Sequence, residues 1–311
     1  MEQIRTLSAL LEYAKKVGKE QGPKKVSVAM AEDAGLISAL EEARTAGFAN
    51  SILVGNASKI KAAAEQAGVD LANYKVIDES NEGQMGMKSV ALVSSGEADI
   101  YMKGQIHTNN FLRAMLNKEV GLRSGKNTIS HCYFHTVEGF DHVFFIADAA
   151  FNMYPDLAAK ADILQNTVNL ARAFGVEEPK VAVLAAVEVV NPDMACTLDA
   201  AALTQMNRRG QIKNCIVDGP FALDNAVSEE SAKTKGIVSP VAGHADVMIV
   251  PNIDAGNMMV KALVYFSKNE TAGLILGATA PVVLTSRADS PRAKLLSVAA
   301  AVALSAFQKK K

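Results

Sequence analysis

The residues best equipped for chemistry in this 311-residue chain lie in one short stretch near its end, PVVLTSRADSPRAK, positions 281 to 294. An apolar run fit for a buried strand leads straight into Ser286, Arg287 and Asp289, and Ser290-Pro291 has the pattern of a helix start. A helix start offers unpaired backbone N–H groups and a partial positive charge, and an adjacent arginine adds a fixed cation with fork geometry. Arg287 is therefore placed to hold a phosphate-like anion. Lys103-Gly104 repeats the arrangement, with a strand before it and a helix expected to open at Thr108. Ligands of open α/β sheets bind beyond the carboxyl ends of the strands, and several other apolar runs also end in polar residues: Asp148, Glu188, Asp218-Gly219-Pro220, and Asn252 with Asp254 close by. Loops are polar for solubility alone, so each of these positions has a bland reading beside the functional one. Arg287 and Lys103 stand out because a cation precedes a helix N-terminus.

Other chemistries find less support. GLRSGKN, 121 to 127, resembles a phosphate-binding loop but has three residues between its glycines and Asn127 after the lysine, and it reads as a turn. No GxGxxG follows a strand, so nicotinamide binding in the usual manner is unsupported, and no GxSxG elbow surrounds Ser286. His131 and His135 are spaced like a metal pair, but the residues between and after them read as strand and no third ligand is obvious. His107 and His244 fall in expected loops, as ligand contacts or as solvated surface residues. Three cysteines, Cys132, Cys196 and Cys215, lie far apart without a CxxC pair and read as reduced packing residues.

The elements that must position these residues are short apolar runs alternating with helical patterns. Strands are expected at 25–30, 51–55, 75–78, 98–104, 129–137, 142–148, 180–188, 214–219, 245–251, 273–277 and 281–285. Most are separated by stretches such as LISALEEARTAG and SPRAKLLSVAAAVALSAFQ, whose apolar spacing is helical, which implies βα units and mainly parallel strands. The runs at 129–137 and 142–148 are joined by only EGFD and should form an antiparallel hairpin. The strand count and this hairpin predict an α/β chain of two lobes. One comprises residues 1–128 plus 283–311, so that the TSRADS turn faces a cleft, and the other comprises 129–282.

Composition sets the outer bounds. With 49% hydrophobic and 21% charged residues and a net charge of −1, the chain can bury a large core. No apolar run reaches a membrane span, the N-terminus does not read as a signal sequence, and there is neither Trp nor a basic stripe. The expectation is a cytoplasmic protein that binds neither membrane nor nucleic acid.

Several stretches together resemble a known family: YMKGQIHTNNFLRAMLNKEVGLRSG, AAVEVVNPDM, TLDAAAL, IVDGPFALDNAVS, SPVAGHADVMIVPNIDAGNMMVKALVYF and GATAPVVLTSRADS. They are similar to the phosphate acetyl/butyryltransferases, with KEVGLR, DGPFALDNAV and TSRADS closer to the butyryl branch. The resemblance implies a two-lobed αβα subunit like that of isocitrate and isopropylmalate dehydrogenases, with mainly parallel sheets and a central cleft. It implies transfer of a short acyl group, butyryl first and acetyl as the alternative, between coenzyme A and phosphate in a ternary complex, with no metal and no tightly bound cofactor. Partners would be coenzyme A, acyl-CoA, phosphate, acyl phosphate and a second copy of the chain in a homodimer or larger oligomer. Ser286 and Arg287 match a Ser-Arg pair of the family, with Arg287 expected to bind phosphate and Ser286 to hydrogen-bond the reacting group. Arg113 matches a second anion-binding arginine. The acetyltransferases carry a general-base aspartate seven positions beyond the serine. That position here is Ala293, which leaves Asp289 as the nearest substitute, in a place that also suits a helix-entry residue. A non-catalytic CoA-binding module, or a metal- and nicotinamide-dependent dehydrogenase on a similar fold, are the readings from other classes.

Overall fold

The computed structural model describes residues 3–125, 127–267, 269–286 and 289–309. Arg287, together with Lys126 of the GLRSGKN turn, lies outside the described residues.

The chain begins with α1 (Leu7–Gln21), β1 (Lys24–Ala29), α2 (Ala34–Thr45), β2 (Ala49–Gly55), α3 (Ala57–Ala67) and β3 (Lys75–Asp78). It continues with α4 (Glu82–Ser94), β4 (Ile100–Lys103), α5 (Thr108–Met115), the hairpin strands β5 (Ser130–Thr136) and β6 (Val143–Ala147), and α6 (Leu157–Ala173). Then come β7 (Lys180–Leu184), α7 (Ala195–Arg208), β8 (Ile216–Phe221), α8 (Leu223–Val227), α9 (Glu229–Thr234), β9 (Val247–Ile249) and α10 (Ile253–Phe266). The last elements are β10 (Thr271–Leu276), β11 (Val282–Val283) and α11 (Pro291–Gln308).

Contacts divide the chain into two compact units. One contains Ser8–Asn127 and the residues from Ala272 onward; the other contains the residues up to Leu7 and Thr128–Thr271. Two boundaries differ from the sequence expectation. The first residues group with the second unit, tied there by the Ile4 N–H bonded to Phe174 O at 2.8 Å, and the C-terminal return begins at Ala272, ahead of residue 283.

In the first unit the strand order is β3-β2-β1-β4-β11-β10. All neighbours are parallel except β10 and β11, which pair antiparallel through Ile275 and Val282. That hairpin was not anticipated, although the few residues between the two apolar runs leave no room for a parallel crossover. The connection leaves β1 with β2 on one side and β4 on the other, so the strand order reverses between β1 and β4. Such a switch point is where open α/β sheets leave a crevice at the strand carboxyl ends. α11 is buried on nearly every side from Lys294 to Ala306, as expected of a helix that is apolar all round. In the second unit the order is β5-β6-β9-β7-β8, with β5 antiparallel to β6, as the short EGFD connection required, and the others parallel. No helix among the described residues is long and apolar enough to cross a membrane.

Candidate active site

The carboxyl ends of β1, β4 and β11 lie side by side, because β4 pairs in parallel with both neighbours: Ala29 stands opposite Lys103, and Val283 opposite Met102. Three groups of residues are thereby brought to one edge, namely Met30 to Asp33, Lys103-Gly104, and Thr285 and Ser286, with Asp289 bonded to Ser286.

In the last of these groups Ser286 and Asp289 bond each other directly. Thr285 is buried and Ser286 exposed. The Asp289 carboxylate accepts the Ser286 N–H at 2.7 Å, and Ser286 O accepts the Asp289 N–H at 3.1 Å. Ser290 then caps α11 by accepting the Ala293 N–H at 3.1 Å, and Pro291 occupies the first turn, where its missing N–H costs nothing. Between β11 and α11, Ser286 thus stands at the solvent edge with its N–H held by Asp289.

Lys103 is only 4% exposed and donates from Nζ to Gly104 O at 3.2 Å. Gly104 itself does structural work. Its N–H bonds Ala29 O at 2.9 Å, and a Cβ there would stand 2.2 Å from Met30 O, so only glycine lets the end of β4 lie against the end of β1.

α5 begins at Thr108, and Glu82 lies just ahead of it. Glu82 Oε1 accepts the His107 N–H at 2.6 Å and lies 2.9 Å from His107 Nδ1, while Asn110 Nδ2 donates to the same oxygen. Burial would raise the Glu82 pKa, but the bonds from His107 and Asn110 hold it below the usual carboxylate range. The Glu82 carboxylate thus adds negative charge beside the start of α5. Arg113 is exposed in the last turn of α5, at the end of that helix away from Thr108.

Asp218 lies in β8, as the expected strand 214–219 implied. β8 runs on through Phe221, so Asp218 lies within the strand, opposite Ala182, and accepts the Gly219 N–H at 2.9 Å. It belongs to the other unit, as does Asp148, whose buried carboxylate accepts N–H groups of His131, Ala150, Phe151 and Asn152 and so builds the turn after β6. Glu188 meets Lys235 at 3.5 Å and Asp254 the Tyr154 hydroxyl at 3.2 Å. The cysteines are free thiols, and burial, with Glu178 nearby, pushes Cys215 up to about 12. Among the described residues no three potential metal ligands gather.

A profile of the phosphate acetyl/butaryl transferase family matches residues 81–302. A phosphate butyryltransferase of Clostridium acetobutylicum is 49% identical over 283 residues, 91% of this chain and 94% of its own. The chain belongs to the phosphate acetyl/butaryl transferase family. A phosphate acetyltransferase of Thermotoga maritima is 44% identical over 293 residues, 94% of this chain and 97% of its own. The crystal structure of a branched-chain phosphotransacylase from Enterococcus faecalis V583 superposes with a TM-score of 0.79 at 30% identity, covering 91% of this chain and 99% of that one. The stretch matched to the phosphate acetyl/butaryl transferases takes in Lys103, Arg113, Asp218 and the whole Ser286–Asp289 turn.

Proposed function

We propose that the protein is a phosphate acyltransferase that interconverts butyryl-CoA plus phosphate with butyryl phosphate plus coenzyme A, and that the Ser286–Asp289 turn is its chemical centre. The observation that carries the reading is the 49% identity to a phosphate butyryltransferase across nearly the full length of both chains. The turn's place at the switch point beside Lys103 supports the location. A homo-oligomer belongs to the same reading, supported by the outward side of α10, where Met258, Tyr265 and Phe266 are exposed.

In the direction of acyl-CoA synthesis, the coenzyme A sulfur attacks the carbonyl carbon of the acyl phosphate. The tetrahedral intermediate collapses as the C–O bond to phosphate breaks, and phosphate leaves with that electron pair. Three jobs follow. The thiol must lose its proton, since at a pKa of about 8.5 only a few per cent is thiolate at neutral pH; Asp289 is the carboxylate nearest Ser286 for that task. The carbonyl oxygen gains charge in the transition state, and the Ser286 hydroxyl is the donor at the solvent edge. The departing phosphate needs neutralising, which falls to Arg287 and Arg113, with Lys103 adding positive potential from the end of β4. Holding both substrates there supplies the remaining acceleration without an acyl-enzyme.

Arg287→Ala tests the assignment. Turnover should fall at least about a hundredfold through lost charge stabilisation, with the melting temperature close to wild type. A variant that keeps wild-type kcat and loses stability would make Arg287 a structural residue and move the centre elsewhere.

A further inference from the structure

Lys294 is 6% exposed in the first turn of α11, an unfavourable place for an ammonium group twice over. Burial strips its water, and the N-terminal end of a helix already carries partial positive charge. Its contacts show what holds it there. Nζ donates to Asp289 O at 3.0 Å and lies 3.4 Å from Asp33 Oδ1. Asp33 Oδ1 also accepts the Leu36 N–H at 2.7 Å as the cap of α2. The two helix starts touch: a Cβ on Gly35 would stand 3.5 Å from Pro291 Cγ and 3.6 Å from Asp33 Oδ1. From Asp289 the link continues through its carboxylate to the Ser286 N–H at 2.7 Å. An unbroken polar path therefore runs from Asp33, just after β1, through Lys294 and Asp289 to Ser286, just after β11.

We propose that Lys294 is a positioning residue, which fixes the Ser286–Asp289 turn against the start of α2. The inference rests on the reading of that turn as the acyl-transfer site. Ser286 is exposed and follows a two-residue strand, so the backbone before it gives little rigidity. The ammonium supplies a fixed point from behind, with Asp33 held as the cap of α2 and Asp289 bonded to the Ser286 N–H.

Lys294→Met keeps the apolar stem and removes the ammonium. In phosphate-dependent cleavage of butyryl-CoA its kcat should fall about tenfold to a hundredfold, the scale of a small misplacement of reacting groups, while KM for the thioester stays within about twofold. Lys294→Arg, which retains donors, should recover most of the loss, and Asp33→Asn should lower kcat in the same direction. Circular dichroism and melting curves accompany each variant. A folded Lys294→Met protein with wild-type kcat and KM overturns the inference, as does a lowered melting temperature with unchanged kcat per folded molecule. If Lys294→Met does not fold, wild-type kcat in both Lys294→Arg and Asp33→Asn overturns it. Ser286→Ala separates the two levels. An inactive Ser286→Ala beside a fully active Lys294→Met sinks the positioning role alone, whereas a fully active Ser286→Ala sinks the reading of the turn and the inference with it.

Discussion

Asp289 has two claims on its carboxylate, as a base for the coenzyme A thiol and as the brace that accepts the Ser286 N–H at 2.7 Å. Asp289→Asn tells them apart, because the amide oxygen still accepts that N–H while the charge is gone. If Asp289 takes the thiol proton, kcat of the variant is lowest near neutral pH and recovers as the pH approaches the thiol pKa of about 8.5. A pH–rate profile parallel to wild type would leave Asp289 as a brace alone. At this scale the sequence was informative where chemistry follows from local order. A strand, then Ser-Arg, then Asp and Ser-Pro can hardly be other than a charged turn entering a helix. It was silent where function depends on a tertiary partner. A single lysine in SPRAKLLSVAAAVALSAFQ looks like a surface residue until Asp33 and Asp289 O are seen against it. Gly104 has a tertiary reason of its own that no local pattern announces, since a Cβ there would meet the backbone of Met30.

Among the elements, periodicity placed every strand, and errors gathered at their ends, where hydrogen bonding and not hydrophobicity decides the boundary. β8 runs on beyond the expected end at 219 because the ladder to β7 continues to Phe221, through a proline that no strand pattern announces. The carboxylate ahead of α5, Glu82, comes from the start of a different helix and is invisible in the local sequence. β5 yields a consequence for stability. His135 stands opposite Phe144, 1% exposed, with no hydrogen-bond partner for either ring nitrogen among the described residues, and burial pushes its pKa down to about 4. In the unfolded chain an imidazole titrates near 6.5, so the unfolded state binds the proton first as the pH drops. The stability held by a neutral His135 is complete above about pH 6.5 and is lost as the pH falls through about 4, a change of up to roughly 3 kcal/mol. His135→Phe should flatten the fall in urea midpoint between about pH 7.5 and about pH 4.5 relative to wild type. An unchanged acid slope would place the acid sensitivity in other groups.

For the whole molecule, alternating βα patterns with one tight hairpin were enough to read an α/β chain of mainly parallel strands. The unit boundaries were harder, since they depend on which strands pair. β10 joins the first unit through β11, and the N-terminal residues join the second through Phe174, neither of which is visible as a composition change. The switch point between β1 and β4 likewise exists only once the strand order is known, and the proposed site is argued from it. Acyl chain length is what separates the butyryl reading from the acetyl alternative. The account is tested most directly by initial rates of thioester loss from butyryl-CoA and acetyl-CoA, each with and without inorganic phosphate. It predicts loss that depends on phosphate, with kcat/KM for butyryl-CoA higher by about tens-fold, since each accommodated methylene contributes roughly 1 kcal/mol. Phosphate-dependent loss that favours acetyl-CoA would contradict the butyryl assignment, and thioester loss that does not respond to phosphate would contradict the account as a whole.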